Sequence, residues 1–212
     1  MEIVGDAGAT VNFDDPAVIE ALEFWISLAR DGIHPPGIVN WGTTPEDFLQ
    51  GQTAMIWTTT GNLSNIRNNA TFEFGVDILP ENRRRGSPTG GGNFYLFADA
   101  PEDQQRAAMQ LIRYMTRPEQ LAAWTIATGY VAPTPDAWET EALQAYVADF
   151  PAAAVARDQL DYAVRELSTF ARGQVYEVFN DAIQGAIVGD MTPTEAMAHA
   201  QAQADAILAP YR

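Results

Sequence analysis

The chain contains no cysteine and no lysine. The missing cysteine excludes a disulfide framework, a thiolate metal site and a thiol nucleophile. The missing lysine leaves arginine as the only strong base, 12 residues against 28 acidic ones, for a net charge of −16. Such a surface repels phosphate backbones and anionic lipid heads, which excludes nucleic acid and charged membrane faces as partners. No apolar run approaches the roughly 18 residues that a membrane helix needs. The first residues, Met1 to Thr10, carry no basic segment and no apolar stretch, so no signal peptide is read there. Histidine is nearly absent too. His34 and His199 are far apart in sequence and have no carboxylate at ligand spacing, so no zinc site is expected. No serine sits in a nucleophile elbow, and no carboxylate pair is recognisable as a glycosidase site.

What is present describes a folded chain. Its 212 residues are 47% hydrophobic and include five Trp, enough for one large or two small domains with a true core. The first helix is capped by Asp15, opened by Pro16 and closed by Gly32, with Val18, Ala21, Leu22, Trp25, Ile26 and Ala29 at helical spacing. A loop through Pro35, Pro36 and Gly37 follows, then a short helix from Pro45 to Leu49 ended by Gly51. Ala54–Trp57, Phe74–Leu79 and Asn93–Ala98 read as strands. Thr58–Gly61 reads as a turn and Asn62–Asn68 as the next helix. The run from Glu81 to Gly92, with Arg83, Arg84 and Arg85, reads as a loop. Beyond it the sequence is almost wholly helical: Pro101–Thr116, Pro118–Thr128 ended by Gly129, Pro135–Ala148, Ala152–Ala163, Val175–Val188 and Pro193–Leu208. Many helices with a minority of short strands give an α/β or α+β class.

Several residues could carry binding chemistry, and each has a plainer alternative. Thr58, Thr59, Thr60, Gly61 and Asn62 lie between a strand and a helix. There hydroxyls, an amide and a helix N-terminus favour oxygen-rich ligands; simple capping by Thr60 or Asn62 is the alternative. Gly90, Gly91 and Gly92 precede a strand and would let backbone approach a ligand closely; a flexible turn is the alternative. They lack the spacing of a dinucleotide fingerprint. Tyr130 follows a helix end and can stack on a sugar face while donating a hydrogen bond, or can pack half-buried. Trp41 and Trp57 are stacking platforms or core residues.

Three segments in order carry a family resemblance. They are Phe48–Trp57 with Thr60–Ile66, Phe74–Pro80 with Gly90–Tyr95, and Leu111–Gln120 leading to Trp124 and Thr128–Thr134. Together they resemble the extracellular solute-binding proteins of ABC importers for carbohydrates and glycerol 3-phosphate. The resemblance implies the α/β, helix-rich C-terminal lobe of a two-lobed periplasmic-binding-protein (type II) fold, with part of the second lobe incomplete. Residues 1–75 and 130–212 would form the C-terminal lobe, and 76–129 would cross to the other lobe. It implies a binding component and not an enzyme, without cofactor or metal, periplasmic or extracellular. It would capture a sugar, polyol or glycerophosphate for delivery to the membrane permease. The ligand contacts it implies are Thr59, Thr60, Gly61, Asn62, Gly90, Gly91, Gly92, Asn93 and Tyr130, with Trp57 as a platform. The phosphate-binding Arg of the glycerophosphate relatives falls on Tyr176 here, with Arg172 one helical turn away. Exposed strand edges of a lobe missing its partner would invite homodimerisation. The competing functions are a self-associating structural lobe that binds no small molecule, and a carbohydrate hydrolase.

Overall fold

A computed structural model of the chain describes residues 3–34 and 40–212. The loop expected at Pro35, Pro36 and Gly37 lies outside the described residues. The chain divides into two compact units: Met1–Val39 with Arg165–Arg212, and Asn40–Val164. These boundaries follow internal packing and differ from the lobe boundaries that the resemblance implies.

The first unit is built on three helices. The first, α1 (Pro16–Arg30), begins where the sequence places it: the Asp15 side chain accepts from the Ala17 N–H at 2.8 Å and Pro16 takes the first turn. Val18 and Leu22, one turn apart, are buried, and Ile19 and Ile26 flank them. Ala21 is exposed, so the buried stripe is narrower than the apolar pattern suggests. Two short strands, β1 (Val4–Gly5) and β2 (Thr10–Val11), pair antiparallel with Val4 opposite Val11.

The chain returns to this unit late, and its last two long helices form the body of the core. On the final helix Ala196, Ala200 and Ala204 repeat at i, i+4 and i+8 and are fully buried. Ala182 and Ala186 repeat likewise on the helix before it. Small side chains in register let helix axes approach closely, and Phe13, Val175, Met197 and Leu208 fill the remaining space. Phe13 stacks on Phe179 with centroids 4.4 Å apart. Gln201 fastens the strand end to this core. Its amide nitrogen donates to the Val11 carbonyl at 3.0 Å, and its oxygen accepts from the Phe13 N–H at 2.7 Å.

The second unit holds seven helices among its described residues: α2 (Thr44–Leu49), α3 (Leu63–Asn69), α4 (Glu102–Met115), α5 (Pro118–Thr128), α6 (Pro135–Trp138), α7 (Glu141–Asp149) and α8 (Val155–Asp158). Its small core gathers Ala122, Ala132, Ala137 and Leu143, ringed by Leu121, Ile126, Trp138 and Tyr146. The single helix expected over Pro135–Ala148 is two, because Thr140 turns the backbone extended and its hydroxyl caps the next helix at the Leu143 N–H. The helix expected over Ala152–Ala163 is a series of short 3-10 and α turns that ends in β4 (Ala163–Arg165), which pairs with β3 (Ser87–Thr89). The two long helices of the first unit complete the order as α9 (Arg172–Val188) and α10 (Pro193–Leu208).

The three strands expected at Ala54–Trp57, Phe74–Leu79 and Asn93–Ala98 form no ladder among the described residues. Strand propensity needs a neighbouring strand to accept its backbone groups. Phe74 is held by ring contact with Phe150 at 6.2 Å, and the Leu79 N–H donates to the Gln159 side chain at 2.6 Å. Phe94, Tyr95 and Phe97 are 57%, 80% and 79% exposed, and α4 buries none of its residues fully.

The start of α10 makes a testable electrostatic prediction. Thr192 and Glu195 form a reciprocal capping box, in which the Thr192 N–H and hydroxyl donate to the Glu195 carboxylate at 3.0 and 2.7 Å. The backbone donor first, then the hydroxyl, lowers the Glu195 pKa below its ordinary 4.5. A folded-state pKa below the unfolded value adds stability above that value and loses it as pH falls through the folded pKa. Urea unfolding followed against pH is expected to show Glu195→Gln less stable than wild type at neutral pH. The gap should close once the pH drops below the lowered pKa.

Candidate functional site

The residues singled out as ligand contacts fall into three groups, of which the structure brings one together tightly. Between the irregular segment ending at Trp57 and α3, Thr60–Asn62 form a single 3-10 turn. Thr59 caps it, one residue before the expected cap, by accepting from the Gly61 N–H at 3.3 Å. The Asn62 N–H donates to the Thr59 carbonyl at 3.1 Å, and the Asn62 side-chain amide donates to the Thr58 hydroxyl at 2.7 Å. The Gly61 and Asn62 N–H groups and the Asn62 amide are thus spent within the turn, whose five residues, 58–62, are half-buried. Trp57, directly before it, is 55% exposed. Trp41 is exposed as well.

Tyr130 lies on this turn. A Cβ built on Gly61 would sit 2.4 Å from the Tyr130 Cζ, 2.7 Å from Cε2 and 2.8 Å from the hydroxyl oxygen. The phenol end of the ring thus rests where only glycine leaves room. Tyr130 remains 42% exposed, so part of the ring is accessible.

Two further residues, which sequence reasoning did not single out as site residues, set this contact. Gly129 ends α5 in a left-handed conformation with φ 93°. A Cβ there would meet the Thr60 carbonyl and the Leu63 Cβ at 2.6 Å. Ser64, buried on α3, donates its hydroxyl to the Ile126 carbonyl in the last turn of α5 at 3.0 Å. A buried hydrogen bond of this kind contributes about 1 kcal/mol net and costs more if one partner is left alone. At the other end of α3, Arg67 lies over the Phe150 and Tyr146 rings at 4.5 and 4.9 Å and pairs with Asp149 at 2.6 Å, tying α3 to α7. Only Gly129 left a trace in the sequence, as a helix terminator. A buried Ser inside a predicted helix leaves none.

The second group, Gly90, Gly91, Gly92 and Asn93, is exposed and irregular, and nothing lies within 4 Å of a Cβ built on Gly91 or Gly92. Packing within the described residues does not require glycine there. The third group belongs to the first unit. Arg172 opens α9, stacks over the Tyr176 ring at 5.3 Å, donates to the Leu167 carbonyl at 3.2 Å and pairs with Glu166 at 3.4 Å.

A shallow depression of about 460 Å³ lined by Glu119, Thr140, Glu141, Ala142 and Ala145 contains none of these residues. Among the described residues no group of three or more His, Asp or Glu side chains could hold a metal ion. No helix there is long and apolar enough to cross a membrane.

The family model for bacterial extracellular solute-binding proteins matches residues 2–152. The chain belongs to that family. It is 24% identical over 214 aligned residues to the sn-glycerol-3-phosphate-binding periplasmic protein UgpB of Yersinia enterocolitica, covering 94% of this chain and 48% of that protein. It is 26% identical to the protein of the same name from Pectobacterium atrosepticum, over 77% of this chain and 39% of that one. Among solved structures, UgpB from Mycobacterium tuberculosis in complex with glycerophosphocholine superposes with a TM-score of 0.84 at 24% identity, over 96% of this chain and 52% of that chain. Maltose-bound T. maritima MalE3 superposes with 0.83 at 17% identity, over 97% and 54%. The chain spans about half the length of these relatives, and its fold is that of the corresponding part of a two-lobed type II binding protein.

The seating of α5 on α3 is directly testable. Gly129→Ala adds a left-handed alanine and a steric overlap with the Thr60 carbonyl. The expected loss is about 2 kcal/mol or more of unfolding free energy by urea titration.

Proposed function

We propose that the chain supplies one wall of the cleft in which the solute-binding component of an ABC importer captures a sugar, polyol or glycerophosphate. The solute would then pass unchanged to the membrane permease. The single observation that carries this reading is the Tyr130 ring seated on Gly61, beside a turn dense in hydroxyl and amide groups. An aromatic face next to uncharged hydrogen bonders is the chemistry that recognises polyols and sugars. Family membership and the ligands bound in the two solved relatives, glycerophosphocholine and maltose, support it. Membership of an extracellular solute-binding family supports action outside the cytoplasm, periplasmic or extracellular.

The neutral, hydroxylated part of the solute is what this wall suits. In the second unit Arg67 is committed to Asp149 and two rings, and the position that the resemblance assigns to a phosphate-binding Arg is Tyr176. Arg172, one helical turn away, is the substitute the resemblance suggests for a phosphate-bearing ligand, and engaging one would mean giving up its pairing with Glu166. The glycines at 90–92 and Asn93, on the segment assigned to the other lobe, face the solute from that side in this reading, since the chain's own packing leaves the space around Gly91 and Gly92 open.

We assign residues 1–75 and 130–212 to one lobe and 76–115 to the other, with α5 kept in the first because Ala122 shares a core with Ala132, Ala137 and Leu143. What supports the second assignment is the apolar exposure of Phe94–Phe97 together with the absence of any fully buried residue on α4. An extended apolar run followed by an amphipathic helix suits a lobe in which a further layer covers the apolar side of both. The relatives are about twice as long, which leaves chain to cover it. The same exposed row favours a second reading for this chain by itself, self-association through unpaired strand edges.

Calorimetry of the chain with glycerophosphocholine and with maltose, run beside light scattering of the same samples, separates the two. The binding reading expects saturable 1:1 heat with at least one solute. Tyr130→Ala should weaken that binding roughly fivefold, for a stacking contact worth about 1 kcal/mol. Concentration-dependent dimers with no saturable heat from either solute would instead establish the self-associating lobe.

A further inference from the structure

Tyr130 is hemmed in from behind by its own chain. Its backbone N–H donates to the Thr128 hydroxyl at 3.1 Å, and that hydroxyl donates to the Trp124 carbonyl at 2.7 Å. Gly129 is locked under the Thr60 carbonyl and Leu63. Ser64 holds the end of α5 against α3. With its base anchored in this way, the ring can yield only by rotating its side chain. The atoms nearest Gly61 are all at the phenol end: Cζ, Cε2 and the hydroxyl oxygen.

We propose that Gly61 is a positioning residue that sets ligand selectivity through Tyr130. The bare backbone at 61 is the seat that fixes where the phenol end of Tyr130 stands relative to the Thr58–Asn62 hydroxyl and amide groups. The inference rests on the binding-wall reading and adds to it a residue whose role is exercised by having no side chain. A methyl at 61 lies closer than 3.0 Å to two ring carbons and the hydroxyl oxygen, so the ring must swing away. Stacking face and hydroxyl then move together, while the oxygen chemistry of the turn stays. Solutes that use the ring lose affinity, and solutes that use only the turn do not.

A double-mutant cycle tests this with maltose and glycerophosphocholine as the probes, affinity measured by calorimetry and folding verified by circular dichroism. Gly61→Ala alone is expected to weaken the better-bound probe about tenfold. In the Tyr130→Ala background the same substitution should change affinity less than about twofold, because the added methyl then meets no ring. Tyr130→Phe, which removes the nearest oxygen and keeps the ring, should give an intermediate coupling. This background also keeps the test decisive if Gly61→Ala alone folds poorly. Equal effects of Gly61→Ala in the wild-type and Tyr130→Ala backgrounds, in a chain that binds the probe, would overturn the positioning role and leave the binding reading standing. Absence of binding by wild type would overturn the binding reading, and the selectivity role with it.

Discussion

The contact on which the proposed wall depends is the approach of two backbones that only glycine allows. Gly129 ends α5 under the Thr60 carbonyl, and Gly61 makes room for the ring that follows. Both glycines act by omission. One tolerates a positive φ and the other vacates the volume of a Cβ. Ser64 adds the hydrogen bond that sets the spacing of α3 and α5, and Arg67 ties the far end of α3 to α7. A short hydroxyl-bearing turn, which would be mobile on an isolated loop, is thereby fixed on two packed helices. A recognition surface needs such support if binding is not to be spent on ordering it.

A second constraint governs the rest of the second unit. Backbone N–H and C=O groups of an extended segment must find partners, and only another strand supplies them in series. The segments around Trp57, Phe74–Leu79 and Asn93–Ala98 have strand composition, and no ladder is formed by them among the described residues. Local devices replace part of what a sheet would give. The Gln159 side chain stands in for a neighbouring strand at Leu79 and reaches Ser87 at 3.0 Å, and Phe150 packs on Phe74. Beside the Phe94–Phe97 row such a substitute reaches only the end, where Gln105 donates to the Ala98 carbonyl at 2.9 Å, and the row's exposure accords with a chain that spans half the length of its relatives.

What could be read from the sequence is what local chemistry decides. The start of α10 followed from Thr192-Pro193, and the bounds of α5 from Pro118 and Gly129. α1 followed from Asp15-Pro16. The family was legible because an ordered set of short segments carries it, although each segment alone is generic. Longer-range outcomes were not legible. Thr140 interrupts an apolar pattern that reads as one helix, because a hydroxyl able to cap competes with continuation. Whether a strand-like run finds a partner depends on residues far along the chain, which periodicity does not encode. The meeting of Gly61 with Tyr130 and of Ser64 with Ile126 is likewise invisible to spacing, so the residues that position the wall emerged only from the fold.

The most direct test of the account is amide hydrogen exchange of the chain with and without saturating glycerophosphocholine or maltose. Slower exchange that appears together in residues 58–64 and 128–131 is the predicted result, because one solute resting on both pieces must protect both. Protection confined to other parts of the chain, with those two stretches unchanged, would contradict the claim that the turn and Tyr130 form a single binding surface.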